Sequence, residues 1–117
     1  MTINTRINYI ELPAHDLDAT EKFYRNAFDW QFVDYGPDYR AFNDGQMDGG
    51  FYRSDGSSST INGAALVILF AADLEQVREG ILENGGLIVK EIFSFPGGRR
   101  FHFTDPSGNE LAVWSDH

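Results

Sequence analysis

Glu11 and His102 are the two side chains of this sequence best suited to transfer a proton. Glu11 alternates with Tyr9 in segment 7–13, so both lie on one face if this segment is a strand. His102 alternates in the same way with Arg100. An apolar pocket disfavours a charged carboxylate and raises its pKa towards the range of a general base, and histidine titrates near neutrality. Glu11 and His102 are therefore the candidate catalytic residues.

Each candidate also has a purely structural interpretation. Glu11 can lie at a wet pocket edge, or pair with Arg53 or Arg100. His102 can be an ordinary surface or core residue, which is the commoner role of a lone histidine on a strand. The sequence leaves these alternatives open.

Apolar and aromatic side chains near these groups predict a pocket for a small planar molecule. The predicted ligand-binding residues are Tyr9, Phe51, Leu66, Ile68, Arg100, Ala112 and Trp114. Trp114 has an alternative role in packing at a sheet or dimer interface. The sequence contains no nucleophile motif, phosphate-binding loop or dinucleotide fingerprint.

Composition narrows the classes of partner. The chain has 18 acidic and 9 basic residues and a net charge of −9, so nucleic acid is not an expected partner. It has no cysteine, and no run of about 18 apolar residues that could span a membrane. Segment 1–6 lacks the pattern of a signal peptide. We expect a cytoplasmic protein whose partner is a small organic molecule.

Two helices are predicted at equivalent places in an internal repeat. An apolar stripe with helical spacing runs from Leu17 to Phe28, and Asp18 with Glu21 matches a capping box. A second stripe follows Asp73, a predicted N-cap, and stops at the glycines 85–86. The pair Asp16-Leu17 recurs as Asp73-Leu74 at a shift of 57, which indicates an internal duplication.

Each helix is preceded by one predicted strand and followed by three. The fold class is therefore α+β, with two βαβββ modules, about 5–55 and about 62–117, within a single domain spanning 1–117. The polar segment 54–60 joins them, as a surface linker or alternatively a mobile flap. The sequence Asp105-Pro-Ser-Gly-Asn109 is expected to be a structural turn.

Four features together resemble the vicinal oxygen chelate superfamily, which includes glyoxalase I, bleomycin-resistance proteins, fosfomycin-resistance proteins and extradiol dioxygenases. These features are the doubled βαβββ unit, the Asp-Leu start with Phe23-Tyr24, the Gly-Gly end of helix two, and the segment 103–111. The resemblance implies that the sheets curl into a cup, or half-barrel, and that the chain forms a homodimer with pockets shared between subunits.

The resemblance also implies positions for metal ligands, and this chain departs from them. Tyr9, Leu66 and Ala112 occupy three of the four positions, and the fourth falls somewhere in 49–52. Leucine and alanine cannot bind a metal, and a neutral tyrosine is a poor ligand. We therefore predict a glyoxalase-like protein with no metal and no cofactor.

Two functions are compatible with such a chain. The first is a metal-independent enzyme, such as a lyase or isomerase, with Glu11 or His102 as base. The alternative is a non-catalytic protein that binds a drug or metabolite, as bleomycin-resistance proteins do. An accessory domain with an unused cup is a third possibility.

Overall fold

The computed structural model describes residues 4–117, so the first three residues of the segment inspected for a signal peptide lie outside it. The elements are β1 Tyr9–Ala14, α1 Leu17–Phe28, β2 Gln31–Asp34, β3 Tyr39–Asn43, β4 Asp48–Arg53, a 3₁₀ turn Thr60–Asn62, β5 Val67–Phe70, α2 Leu74–Glu83, β6 Leu87–Phe95, β7 Gly98–Thr104 and β8 Glu110–Ser115. No helix in 4–117 is long and apolar enough to cross a membrane.

The two helix starts confirm the internal repeat. Asp16 accepts a hydrogen bond from the Ala19 amide at 3.1 Å, and Asp73 caps α2 through the Gln76 amide at the same distance. Two caps 57 residues apart thus begin the two helices. The predicted capping box is wrong in its position, because the N-cap is Asp16 rather than Asp18.

Asp18 and Glu21 serve a different purpose from helix capping. Both bind the Arg40 side chain, which donates from Nη1 to Glu21 at 2.6 Å and from Nη2 to Asp18 at 2.9 Å. Arg40 is buried on β3, so the two carboxylates tie α1 to the first sheet. Partnered arginines of this kind tolerate burial because their charge is matched.

The two βαβββ modules form two separate four-stranded mixed sheets that do not close into a barrel. The first sheet has the order β1-β4-β3-β2, and the second has the order β5-β8-β7-β6. In each sheet the first strand runs parallel to the last strand of its module, and the other neighbours are antiparallel. The α+β fold class with two βαβββ modules is confirmed. The predicted half-barrel cup is formed by two separate sheets rather than by one continuous sheet.

One face of each sheet packs against the helices and forms the core. Phe51, which is fully buried, lies 5.1 Å from Tyr24 and 5.3 Å from Phe42 between ring centroids. Phe23 of α1 also reaches Phe103 of the second sheet at 6.1 Å, so the two modules share this core. We call this side the helix face of each sheet.

The opposite side of each sheet, which we call the open face, keeps large side chains exposed to solvent. On the first sheet the open face includes Tyr9, Glu11, Val33, Tyr35, Tyr39, Asp48 and Tyr52. On the second sheet it includes Ile68, Phe70, Arg100, His102, Glu110, Ala112 and Trp114. Val33 and Phe70 are each 55% exposed, whereas His102 and Ala112 are buried among their neighbours.

The segment between the modules is fixed to the second sheet. The Ser58 amide donates to Asn109 Oδ1 at 2.9 Å, and the Glu110 amide donates back to the Ser58 carbonyl at 2.7 Å. Thr60 continues the attachment through Glu110. These bonds favour a docked linker over a mobile flap.

Candidate functional site

Glu11 ends a chain of hydrogen bonds on the open face of the first sheet. The Tyr39 hydroxyl donates to Glu11 Oε2 at 2.8 Å, and the Tyr9 hydroxyl lies 2.6 Å from the Tyr39 hydroxyl. Because Tyr39 gives its only proton to Glu11, Tyr9 must donate to Tyr39. Two phenols thus point their protons in sequence towards one carboxylate.

Gly50 allows this arrangement by having no side chain. It lies between Glu11 of β1 and Ala41 of β3, and the Tyr39 side chain crosses directly over it. A Cβ atom at Gly50 would lie 1.9 Å from the Tyr39 hydroxyl, which no real atom could occupy. The phenol of β3 can therefore reach across β4 to the carboxylate of β1.

Tyr39 remains a proton donor throughout the physiological range. Partial burial raises the pKa of Tyr39 well above its usual value, and the hydrogen bonds to Tyr9 and Glu11 raise it further. A neutral phenol is the form needed to donate to a carboxylate. The chain of Tyr9, Tyr39 and Glu11 thus keeps its direction at neutral pH.

A groove of about 740 Å³ runs along this face. Its size falls within the range of small-molecule sites. It is lined mainly by aromatic and polar side chains, among them Tyr9, Tyr35, Tyr39, Val33, Asn43 and Asp48. Asp48 accepts a hydrogen bond from Asn43 at 2.8 Å. The groove thus combines tyrosine rings with the carboxylate of Asp48, and Glu11 is bonded to one of its lining residues, Tyr39.

His102 and Glu110 form a second pair, on the open face of the second sheet. His102 Nδ1 lies 2.8 Å from Glu110 Oε2, and the other carboxylate oxygen accepts from the Thr60 amide and hydroxyl at 2.9 and 2.8 Å. These hydrogen bonds, chiefly the one with His102, lower the pKa of Glu110 to about 2. An ionised Glu110 can accept the hydrogen of Nδ1, which fixes the orientation of the His102 ring.

Glu110 is a site residue that the sequence analysis missed. It was assigned no role, although it shares a strand face with Ala112 and Trp114. In the β7–β8 hairpin it pairs with Thr104, which places it diagonally across from His102. The predicted turn at 105–109 fixes the register of this hairpin. Pairing the residues on either side of the turn in order would have placed Glu110 diagonally across from His102.

The second sheet also carries most of the other predicted ligand-binding residues. Arg100 pairs with Trp114, and His102 pairs with Ala112. Ile68 lies on the other side of Ala112. Ala112 is fully buried between these larger neighbours, whereas Ile68 keeps 44% of its surface exposed.

Two of the predicted ligand-binding residues lie elsewhere. Phe51 lies in the core because it pairs with Leu12, one residue out of phase with Glu11, so its side chain points to the helix face. Leu66 immediately precedes β5 and is partly buried. Glu11 forms no salt bridge with Arg53 or Arg100, its two predicted alternative partners. Its hydrogen-bond partner is Tyr39.

The structure places the predicted residues in two different grooves. Tyr9 lines the groove on the first sheet, while Ile68 and Trp114 line another of about 950 Å³ at the boundary between the modules. That second groove also contacts Trp30 and Asp73. Within one chain, Glu11 and the residues of the second sheet are therefore not brought into a single pocket.

The positions that the family resemblance assigns to metal ligands do not fit a metal. Tyr9 is engaged with Tyr39, and Ala112 offers only a methyl group. In the 49–52 stretch, Gly50 shares the face of Glu11 and has no side chain. Within residues 4–117 no three His, Cys, Asp or Glu side chains form a cluster that could hold an ion. A divalent site needs several such donors converging.

Comparison with known proteins identifies the family. Residues 6–113 match the Glyoxalase/Bleomycin resistance protein/Dioxygenase superfamily, which covers nearly the whole chain. The chain belongs to this superfamily. No curated protein matches the sequence significantly.

Solved structures with the same fold include three members with different descriptions. A glyoxalase-related enzyme from Fulvimarina pelagi superimposes with a TM-score of 0.80 at 16% identity, covering 96% of this chain and 88% of its own. The fosfomycin resistance protein FosX from Listeria monocytogenes gives 0.80 at 16%, covering 98% and 96%. A glyoxalase/bleomycin resistance protein/dioxygenase family enzyme from Burkholderia phytofirmans gives 0.78 at 14%, covering 94% and 98%. At these identities the likeness is one of fold alone.

The His102–Glu110 pair predicts a loss of stability in acid. The pKa of Glu110 is lowered on folding, so its contribution is full above its usual value of 4.5 and disappears as the pH falls towards 2. We expect Glu110→Gln to lower the free energy of unfolding by up to about 3 kcal/mol at pH 7, and by clearly less at pH 3. Urea unfolding at the two pH values measures this. Glu83→Gln, at an exposed helix end, is the matched control, and an equal loss for both variants would contradict the assignment.

Proposed function

We propose that this protein binds a small organic molecule against its open faces and acts on it without a metal, as a lyase or isomerase of the glyoxalase-like type. The single observation that carries the proposal is the hydrogen-bonded chain Tyr9–Tyr39–Glu11, whose two tyrosines line a groove of suitable size. Superfamily membership supports small-molecule chemistry in general. The residue types at the metal positions support the metal-independent form.

Glu11 is the general base in this proposal. One carboxylate oxygen accepts from Tyr39, while the other has no hydrogen-bond partner within residues 4–117. That free oxygen can take a proton from a carbon or hydroxyl of the ligand. The protonated Glu11 then returns the proton to another ligand atom in an isomerase, or to the leaving group in a lyase.

A homodimer would complete the site. Both open faces expose apolar side chains, including Tyr35 at 68% and Phe70 at 55%, which a soluble surface rarely leaves uncovered over a continuous area. If a second copy lays its second sheet over the first sheet of its partner, Glu11 of one subunit faces Arg100 and His102 of the other. This arrangement would unite the two half-sites that one chain keeps apart.

Ligand binding without chemistry is the second candidate function. Its support is the carboxylate of Asp48 among the tyrosine rings of the groove, with Glu11 bonded to Tyr39 on the same sheet. Carboxylates and aromatic faces together attract a cationic ligand. Such a protein would sequester its ligand and would need no base.

The two functions are separated by matched substitutions. We expect Glu11→Gln to reduce turnover at least 100-fold in an NMR screen of small oxygenated compounds, because general bases contribute this much. The same variant should keep the ligand-induced rise in Tm. Asp48→Asn removes an equal charge from the same face of the first sheet and should change affinity only.

Each other outcome has a defined meaning for the proposal. Retained turnover in Glu11→Gln would remove Glu11 from the role of base. Another outcome is that a ligand raises the Tm of the wild type without being converted to a product. If Glu11→Gln and Asp48→Asn then reduce this rise in Tm equally, the protein is a binding protein.

A further inference from the structure

The longest strand of the second sheet, β6, has two register shifts, and the one between Lys90 and Phe93 shapes its open face. Lys90 pairs with His102, and Phe93 pairs with Arg100, so three steps along β6 match only two along β7. In a regular strand, residues three apart point to opposite faces. The bulge instead brings Lys90 and Phe93 to the same face, as bulges near functional sites commonly do.

Phe93 is thereby surrounded by three basic side chains. Lys90 Nζ lies 4.6 Å from the centre of its ring, and Arg100 Cζ lies 5.3 Å from it. The His102 ring is 6.1 Å away between centroids. Both cations contact the same ring, so an anion beside that ring is attracted by both.

Arg100 differs from the other buried or half-buried arginines in having no acidic partner. Arg40, Arg78 and Arg99 each bind a carboxylate at 2.5–3.0 Å. Within residues 4–117, no carboxylate lies within salt-bridge distance of Arg100 or of Lys90. The chain has twice as many acidic as basic residues, so the missing acidic partners of Arg100 and Lys90 are not explained by a lack of carboxylates in the chain.

Two nitrogen atoms of this cluster are buried without a hydrogen-bond partner in the described chain. They are Nε of Arg100 and Nε2 of His102, and His102 is only 6% exposed. Buried polar nitrogens without partners are costly, so their presence indicates a missing group. A ligand acceptor would satisfy Nε of Arg100, which can only donate.

Aromatic side chains continue the surface beside the cations. Arg100 lies 5.9 Å from the Phe95 ring, and Phe95 lies 6.2 Å from Trp114. Trp114 pairs with Arg100 across the strands. A flat ring resting on these aromatics would place an attached carboxylate beside Arg100 and Lys90.

We propose that the bulge in β6 builds an anion subsite in which Lys90 and Arg100 bind the carboxylate of an aromatic carboxylic acid. The inference names the ligand class of the proposed function, and it rests on that proposal only in taking the open faces as the binding surface. The net charge of −9 would suggest that anions are repelled. Lys90 and Arg100 nevertheless make this part of the surface positive.

Benzoate is the test probe, with neutral benzamide as its uncharged counterpart. We expect calorimetric titration of the full chain to show benzoate binding at least tenfold tighter than benzamide. The NMR signal of the Trp114 indole should shift with benzoate. Lys90→Gln and Arg100→Gln should each weaken benzoate binding about tenfold or more, the usual effect of removing one charge-assisted contact.

The controls separate this subsite from general electrostatics and from the proposed base. Arg53→Gln makes the same change in net charge at an exposed position of the first sheet, and it should leave benzoate affinity unchanged. Benzoate binding is measured without turnover, so the subsite stands even if Glu11 is not a base. Equal weakening by Arg53→Gln would overturn the subsite.

Two further results would also overturn it. One is the absence of any preference for benzoate over benzamide in the wild type. The other is a loss of dimer affinity in Arg100→Gln without a change in benzoate binding, which would mean that the cations pair with a carboxylate of a second copy. Lys90 is exposed, so Lys90→Gln decides the outcome if Arg100→Gln folds poorly.

Discussion

Asp105→Ala is expected to lower the free energy of unfolding by about 3–5 kcal/mol, because the substitution strands several buried donors at once. Asp105 is 4% exposed. Its Oδ1 accepts from the Ser107 and Asn109 amides at 2.8 and 3.0 Å, and its Oδ2 accepts from the Tyr24 hydroxyl at 2.8 Å and Asn109 Nδ2 at 3.1 Å. Alanine satisfies none of these four donors.

The loss should be large also because this turn joins the two modules. Asn109 donates to the Pro13 carbonyl of β1 at 2.7 Å, and Ser107 Oγ lies 2.9 Å from Thr20 of α1. Burial raises the pKa of Asp105 in spite of its four donors, which indicates how completely water is excluded. A turn in the second module thus holds the first strand and helix of the first module.

Urea unfolding at pH 7 measures the effect, with Asp44→Ala as the matched control. Asp44 also accepts two turn amides, from Gln46 and Met47, but it is exposed. We expect this control to lose only about 1 kcal/mol. Similar losses for the two variants would mean that the buried network adds little beyond local turn geometry.

The sequence was sufficient to predict the modules and most strand faces. Asp16 and Asp73 mark the two helix starts at a shift of 57, and period-two alternation placed Glu11 with Tyr9 and His102 with Arg100. These features depend on local chemistry, so they can be recognised without tertiary contacts. The structural role expected of the turn at 105–109 is also confirmed by its bonds to the first module.

Long-range features could not be predicted in the same way. The bulge between Lys90 and Phe93 interrupts alternation, and nothing in the residue types of that strand marks it. The prediction that Phe51 lines the pocket is wrong. The face on which Phe51 lies depends on the register between β1 and β4, and the sequence does not show how these two distant segments pair. The reach of Tyr39 across Gly50 needs the same pairing.

Gly49 and Gly50 lie side by side at that pairing, and alanine is expected to destabilise the protein far more at Gly49 than at Gly50. A Cβ atom at Gly49 would lie 2.2 Å from the Phe42 ring and 2.5 Å from the backbone oxygen of Ile10. The backbone oxygen belongs to the neighbouring strand and cannot move without distorting the sheet. We expect Gly49→Ala to lower the free energy of unfolding by about 3 kcal/mol, near the upper end for overpacking.

A Cβ atom at Gly50 would instead meet only the phenol end of Tyr39 among its three nearest contacts. A side chain on the open face can swing away, so Gly50→Ala should lose about 1 kcal/mol or less. The displaced Tyr39 hydroxyl would then lie out of reach of Glu11. This variant should therefore reproduce the effect of Tyr39→Phe on turnover or ligand binding while leaving the fold intact.

Urea unfolding and ligand titration of the two glycine variants, with Tyr39→Phe alongside, test both halves of this expectation. Equal stability losses at Gly49 and Gly50 would mean that Tyr39 is held rigidly and packs as part of the sheet. A Gly50→Ala protein that behaves as the wild type would mean that the hydrogen bond from Tyr39 to Glu11 has no functional role. Only Gly50 makes room for the hydrogen-bonded chain of Tyr9, Tyr39 and Glu11. Comparing the two variants therefore separates the effect of sheet packing on stability from the effect of this chain on function.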